Sequence, residues 1–401
     1  MKTYTYLIVG GGMTADAAVG GIREIDPKGT IGLIGSEPEG PYDRPPLTKG
    51  LWKDQAIETI ARKTAPAQAT LHLGRTAKSI DPVRKRVTDD AGEEYGYAKL
   101  LIATGGRPRR LGFEGDREVL YYRTVADYRR LRQMTGKNRR FAVIGGGFIG
   151  SEIAAALTMN GQKVTMIFPG AAIGARIFPR ELSQFMTDYY RKKGVQILAE
   201  TKASGLEAVG GEFVVKVGDG SGIAVDGVVA GLGIEPNVDL ALAAGVAVNG
   251  GIVVDEFLRT SVPDIYAAGD VASFQNPALG KRIRVEHEDN ANAMGRMAGR
   301  NLSGSSERYR HLPFFYSDLF EFGYEAVGET DPRLETVADW TRPNEEGVVY
   351  YLEKGRVRGV LLWNIFGQVD AARELIAAPG PFTAATLKGR LPAKKPETAS
   401  A

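Results

Sequence analysis

One glycine-rich turn occurs twice in this chain, and that repeat limits the fold more than any other feature. The stretches "YLIVGGGMTADAAVGGI" (Tyr6–Ile22) and "FAVIGGGFIGSEIAAAL" (Phe141–Leu157) each run from an apolar, β-rich segment through glycines into a helix-forming segment. A second apolar run follows each: "TIGLIG" (Thr30–Gly35) and "KVTMIF" (Lys163–Phe168). The first copy predicts strand 4–9, helix 15–25 and strand 30–35; the second predicts strand 141–144, helix 151–159 and strand 163–168. Duplication of a whole βαβ unit implies two domains of one design. A chain of 401 residues with 43% hydrophobic content has room for two or three such globular domains.

The glycine spacing says what the turns hold. Gly10 and Gly12 fit a GxGxxG pattern with Ala15 in third place, and Gly145, Gly147 and Gly150 complete it in the second copy. In such a turn the first glycine permits the tight bend, the second lets a pyrophosphate approach the backbone, and the third lets helix pack on strand. The phosphates then rest on the helix N-terminus. The first copy also reaches an acid, Glu37, where a carboxylate accepts hydrogen bonds from both ribose hydroxyls. Two dinucleotides in one chain imply electron traffic between them: nicotinamide delivers a hydride, and a flavin is the natural dinucleotide to take it. FAD is therefore expected on the first copy and NADH or NADPH on the second.

The remaining chain supplies further apolar strands ending in small residues, "KLLIATGG" (Lys99–Gly106), "DGVVAGLGIEPN" and "DIYAAGD", then aromatic, alternating segments from about Phe314. That change predicts an antiparallel sheet with a turn at Lys354 and Gly355. The expected organisation is α/β: a discontinuous FAD domain (1–108 and 245–310), an NAD(P)H domain (109–244), both Rossmann-like in an arrangement that resembles glutathione reductase, a C-terminal α+β domain (311–390) and a disordered tail (391–401). The sequence contains no cysteine, which excludes a dithiol relay and thiolate metal sites. "EHED" in a chain with three histidines has no ligand spacing, and no metal is expected. A net charge of +3 with scattered arginine pairs reads as solvated helix faces, and no nucleic-acid partner is expected. The N-terminus enters a strand directly and no apolar run reaches about 18 residues, so a cytoplasmic protein without a membrane span is expected.

Several motifs carry a resemblance. "ATGGRPR" from Ala103, and Thr260 followed by "AAGD" ending at Asp270, resemble the linking and ribitol-binding motifs of the two-dinucleotide flavoprotein superfamily. Within it, "PYDRPPLTKGLW", "RVEHEDNANAMGRMAGRNL", "FFYSDLFEFGYEAVGE" and "GVVYYLEKGRVRGVLLWNIF" are similar to apoptosis-inducing factor, its bacterial relatives and the ferredoxin reductases of oxygenase systems. The resemblance implies that Gly10, Gly12, Ala15, Glu37, Arg44, Lys49, Ala103, Thr104, Gly105, Gly269 and Asp270 hold FAD, with Arg44 on its pyrophosphate. It assigns Gly145, Gly147, Phe148, Gly150 and Glu152 to the nicotinamide side, with Phe148 covering the flavin and Tyr316 forming an aromatic lid. Glu286 and His287 are expected to open a helix aimed at reduced flavin. Lys49, Glu152, Phe148 and Tyr316 form the implied catalytic set, with Glu152 one step into its helix.

Departures from the pattern narrow the function. Relatives commonly place tryptophan where this chain has Tyr316, and the insertion of mammalian apoptosis-inducing factor has no counterpart between Trp340 and Gly347. Gly170 aligns with Glu37, so the second turn lacks its acid, and the resemblance alone favours NADH. The expectation is an FAD-dependent NAD(P)H oxidoreductase passing electrons to an external ferredoxin, rubredoxin, quinone or similar acceptor. The alternative is a slow NADH-responsive redox sensor that changes oligomeric state, for which a homodimer is possible.

Overall fold

A computed structural model describes residues 1–218 and 220–391. The tail 391–401 lies outside the described residues apart from Leu391, which is buried. The chain divides into two compact units. One comprises Met1–Pro46, Ala56–Arg107 and Ile234–Pro313; the other comprises Leu47–Gln55, Pro108–Gly233 and the chain from Phe314.

In the first unit, β1 (Lys2–Val9), α1 (Met13–Ile25) and β2 (Ile31–Gly35) form the first βαβ unit. The strands are parallel, with Val9 opposite Ile34. Strand Glu94–Ile102 lies on the other side of β1, and strand Ile265–Ala267 pairs with it in turn. Ala15, Ala18, Val19 and Ile22 recur at helical spacing and are fully buried, so α1 presents one apolar stripe to the sheet. The helix begins earlier than expected because Gly12, in extended conformation, is its N-cap. Thr30 stands outside β2, where its hydroxyl accepts the Thr5 amide at 2.9 Å.

The second unit repeats the plan with β3 (Arg140–Ile144), α2 (Phe148–Met159) and β4 (Lys163–Ile167). Here Ile144 opposes Ile167, and strands Gln196–Leu198, Gly227–Ala230 and Leu120–Tyr121 complete a five-stranded parallel sheet. Helix α2 also starts early, at Phe148, after extended Gly147. The same unit contains a five-stranded antiparallel sheet opened by the hairpin β5 (Phe314–Leu319) and β6 (Phe322–Gly328). Its later hairpin turns at Lys354 and Gly355, with φ of 52° and 72°, as the sequence predicts. Trp363 is completely buried in this sheet, its ring stacked with that of Tyr324.

Candidate active site

The two glycine turns are built alike. Gly10 and Gly145 have φ of +132° and +120°, and a Cβ on either would strike a carbonyl oxygen: that of Ala103 at 2.1 Å and of Gly231 at 2.3 Å. At Gly12 and Gly147 an added Cβ would meet nothing within 4 Å. No side chain caps either following helix, although this chain caps helix Val125–Met134 with Thr124. Each turn thus offers open space beside helix N–H groups that must find acceptors. This cradle fits the pyrophosphate of a dinucleotide. Gly150 packs its helix against the turn, where a Cβ would lie 2.1 Å from the Gly145 oxygen, while in the first copy Ala15 fills the equivalent place completely buried.

Around the first turn, Glu37 lies just beyond β2. Its Oε2 accepts the Tyr42 hydroxyl and its Oε1 the Arg44 guanidinium, both at 2.5 Å. Arg44 is thus held by a carboxylate beside the first turn. Burial disfavours its charge, but Tyr42, Glu37 and Asp270 outweigh that and hold its pKa above the usual guanidinium value. Asp270 sits in the 3-10 turn Gly269–Val271. Thr104 and Asn237 exchange two hydrogen bonds, hydroxyl to carbonyl at 2.9 Å and amide to carbonyl at 2.8 Å, which pins the segment containing Ala103 and Gly105. The late helix runs Glu288–Leu302, so His287 is its N-cap and Glu286 precedes it, paired with Arg284 at 2.9 Å. The helix was expected to open at Glu286; His287 has extended φ and ψ, so helical geometry starts two residues later, at Glu288. Burial pushes the His287 imidazole down to about 4, against the pull of Asp270 and Asp289. In the first turn of that helix, Asn290 is fully buried; its oxygen accepts the Tyr309 hydroxyl, whereas its amide has no hydrogen-bond partner among the described residues.

The second unit gathers the expected catalytic residues. Lys49 lies beside the 3-10 turn Gly50–Trp52. The Tyr122 hydroxyl on the Leu47 carbonyl and the Tyr128 hydroxyl on the Leu51 carbonyl anchor that segment. The Lys49 ammonium donates to Glu152 Oε1 at 2.7 Å and stands 5.2 Å from the Tyr316 ring centre. Glu152 is the fifth residue of α2, deeper than expected because the helix begins at Phe148. Its carboxylate also accepts the Thr48 and Ser317 hydroxyls at 2.5 Å each. With side-chain exposures of 12% for Lys49 and 4% for Glu152, this is no surface pair of small consequence. Burial, and then the Glu152 charge, push the Tyr190 and Tyr324 hydroxyls well above their usual range, so both stay protonated. Phe148 is partly exposed and meets the Phe315 ring edge-on, 5.0 Å between centres.

Residues 4–295 match the family described as pyridine nucleotide-disulphide oxidoreductase, and residues 298–346 and 342–378 match the C-terminal domain of mitochondrion-associated apoptosis-inducing factor. The chain belongs to the pyridine nucleotide-disulphide oxidoreductase family. It is similar to apoptosis-inducing factor 1 of Dictyostelium discoideum, 36% identical with 94% of this chain and 79% of that protein covered. It is equally similar to the ferredoxin–NAD(+) reductase component of the anthranilate 1,2-dioxygenase system of Burkholderia cepacia, 36% identical with 94% and 95% covered. Among solved structures it matches the covalent putidaredoxin reductase–putidaredoxin complex at 30% identity, with a TM-score of 0.87, 94% of this chain and 93% of that one covered. It is an FAD-dependent NAD(P)H oxidoreductase.

Within this family the chain lacks the cysteines of a redox disulphide. Sequence reasoning missed Thr48, Ser317, Tyr42 and Gly231. Thr48 and Ser317 adjoin Lys49 and Tyr316, which were singled out, and Gly231 follows its strand in "VVAGLG" as Ala103 does in "LLIATGG".

Proposed function

We propose that this protein is the reductase of an electron-transfer pair, taking a hydride from NADH and delivering electrons to a small iron–sulfur ferredoxin. The observation that carries the reading is the buried Lys49–Glu152 pair in a chain without cysteine. FAD, held by residues of this chain, would supply the hydride acceptor and electron carrier that the chain itself lacks. The chain's part is to hold and stabilise. The first glycine turn, Glu37 and Asp270 bind the flavin dinucleotide, and the second glycine turn with Phe148 binds the nicotinamide dinucleotide. Glu152, fixed by Thr48 and Ser317, aims the Lys49 ammonium as a preorganised positive charge for the negative charge that accompanies reduction. Tyr316 limits access beside Lys49.

On this reading the first unit is the FAD domain, and the second combines the NAD(P)H domain with the C-terminal domain. No helix among the described residues is long and apolar enough to cross a membrane, and a cytoplasmic location with a diffusible partner is proposed. The likeness to a dioxygenase-system reductase over nearly the full length of both chains supports ferredoxin ahead of a quinone. The C-terminal match to apoptosis-inducing factor supports a second reading, an NADH-responsive sensor that dimerises. Anaerobic stopped-flow reduction by NADH, followed by mixing with oxidised ferredoxin or a quinone, separates these. Electron delivery to ferredoxin within seconds supports the reductase. A long-lived charge-transfer absorbance that outlasts all acceptors, with a change in sedimentation, supports the sensor.

A further inference from the structure

The two repeats agree beyond their glycine turns, and the agreement isolates one side chain. Val9 opposes Ile34 and Ile144 opposes Ile167, so three residues onward Gly170 stands where Glu37 stands. The adjoining loop agrees as well. Gly74 N–H donates to the Glu37 carbonyl at 3.0 Å, and Glu200 N–H donates to the Gly170 carbonyl at 2.9 Å. Arg75 N–H donates to the Gly35 carbonyl at 2.9 Å, and Thr201 N–H to the Phe168 carbonyl at 3.1 Å. Glu200 is therefore the counterpart of Gly74, and both are left-handed, with φ of 54° and 64°. Glycine adopts that backbone freely, whereas a glutamate is strained there. Such a conformation persists where the surrounding structure holds it, and it is enriched around ligand sites. The second repeat has no carboxylate at position 170 but carries one at a position joined to it by a backbone hydrogen bond. Gly170 and Glu200 are both exposed, and no side chain at 170 blocks the way between them.

We propose that Glu200 supplies to the second unit the carboxylate that Glu37 supplies to the first, so that it selects NADH over NADPH. Its oxygens accept hydrogen bonds from the two adenosine ribose hydroxyls and repel a 2′-phosphate. The inference rests on the second glycine turn being the nicotinamide dinucleotide site.

The test is calorimetric titration of the FAD-loaded protein with ADP-ribose and with 2′-phospho-ADP-ribose, which carry the recognised half of each cofactor and transfer no electrons. The unaltered protein should prefer ADP-ribose. Glu200→Gln should weaken ADP-ribose by about tenfold or more, the loss of hydrogen bonds to a charged group, and leave 2′-phospho-ADP-ribose no weaker. Glu200→Gly relieves the left-handed strain, so it should melt no lower than the unaltered protein and still lose the same affinity, which a purely structural glutamate would not do. Adding Gly170→Glu to Glu200→Gln should restore the preference. An unchanged ratio of the two affinities in both Glu200 variants overturns the proposal. Gly147→Arg keeps the failures apart: it fills open space in the second turn and should abolish ADP-ribose binding with the flavin retained. If it binds ADP-ribose normally, the turn is not the site. If it abolishes binding while the Glu200 variants bind as the unaltered protein does, only the assignment of Glu200 falls.

Discussion

Lys49 reaches Glu152 across 103 positions of sequence and donates to its Oε1 at 2.7 Å, in a setting from which water is largely removed. Coulomb attraction is strong in such a place, and so is the penalty for leaving either charge alone. Thr48 and Ser317 complete the carboxylate's hydrogen bonds, which makes the ammonium's position well determined.

Lys49→Gln keeps an N–H donor but removes the charge. Flavin reduction by NADH should slow by roughly ten to a thousandfold, the range for one preorganised electrostatic group, and the flavin potential should fall. Anaerobic stopped flow and a dye-linked reductive titration measure the two. A variant that holds FAD and reduces at the unaltered rate and potential would reduce Lys49 to a structural partner.

Ser317→Ala removes a donor from a buried carboxylate without removing charge. Ser317 is 1% exposed, so water cannot readily replace its hydroxyl. Urea unfolding should show a loss of about 1–3 kcal/mol. The Lys49 variant's effect on potential should be largely absent here, since the ammonium remains.

The glycine turns make an asymmetric forecast about single methyl groups. Gly10→Ala places a Cβ against the Ala103 carbonyl in a disfavoured backbone region, and should impair folding of the whole unit. Gly12→Ala meets no protein atom within 4 Å, so the flavin-free protein should fold and lose no more than the cost of a poorer N-cap, about 1 kcal/mol. The methyl group would stand in the space assigned to pyrophosphate, and the flavin-to-protein ratio after dialysis should drop. Equal flavin retention in Gly12→Ala and the parent would count against FAD on the first turn.

His287 should make stability depend on acidity. Its folded pKa of about 4 lies below the ordinary value of 6.5. Between those values the unfolded chain binds the proton and the folded chain does not. Stability is therefore full above about pH 6.5 and declines as pH falls to about 4, by at most about 3 kcal/mol from this group. Chemical denaturation across that window should show the decline, and His287→Gln should flatten it. Parallel curves for both proteins would mean that His287 is hydrated and titrates normally.

The duplicated turn, the parallel strands beside it and the antiparallel C-terminal sheet were legible in the sequence because they follow from local causes. Glycine spacing, an apolar period and a Lys–Gly turn act within a dozen residues, and the structure follows them with boundaries shifted by a few positions. Helices α1 and α2 begin early for a reason propensity does not show: an extended glycine serves as N-cap. Glu152 illustrates what local pattern leaves open. Its place in a helix could be anticipated, but its burial and its three donors depend on residues from "LTKG" and "FYSD" arriving at one point. The partnership of Arg44 with Glu37, and the equivalence of Glu200 with Gly74, likewise came from hydrogen bonds made by folded loops. Sequence by itself determined the elements and the cofactor class they suit, since both depend on short-range sterics and periodicity. Only tertiary structure decided which charges are dry, paired and precisely aimed, because desolvation and long-range contact exist only once the chain has folded.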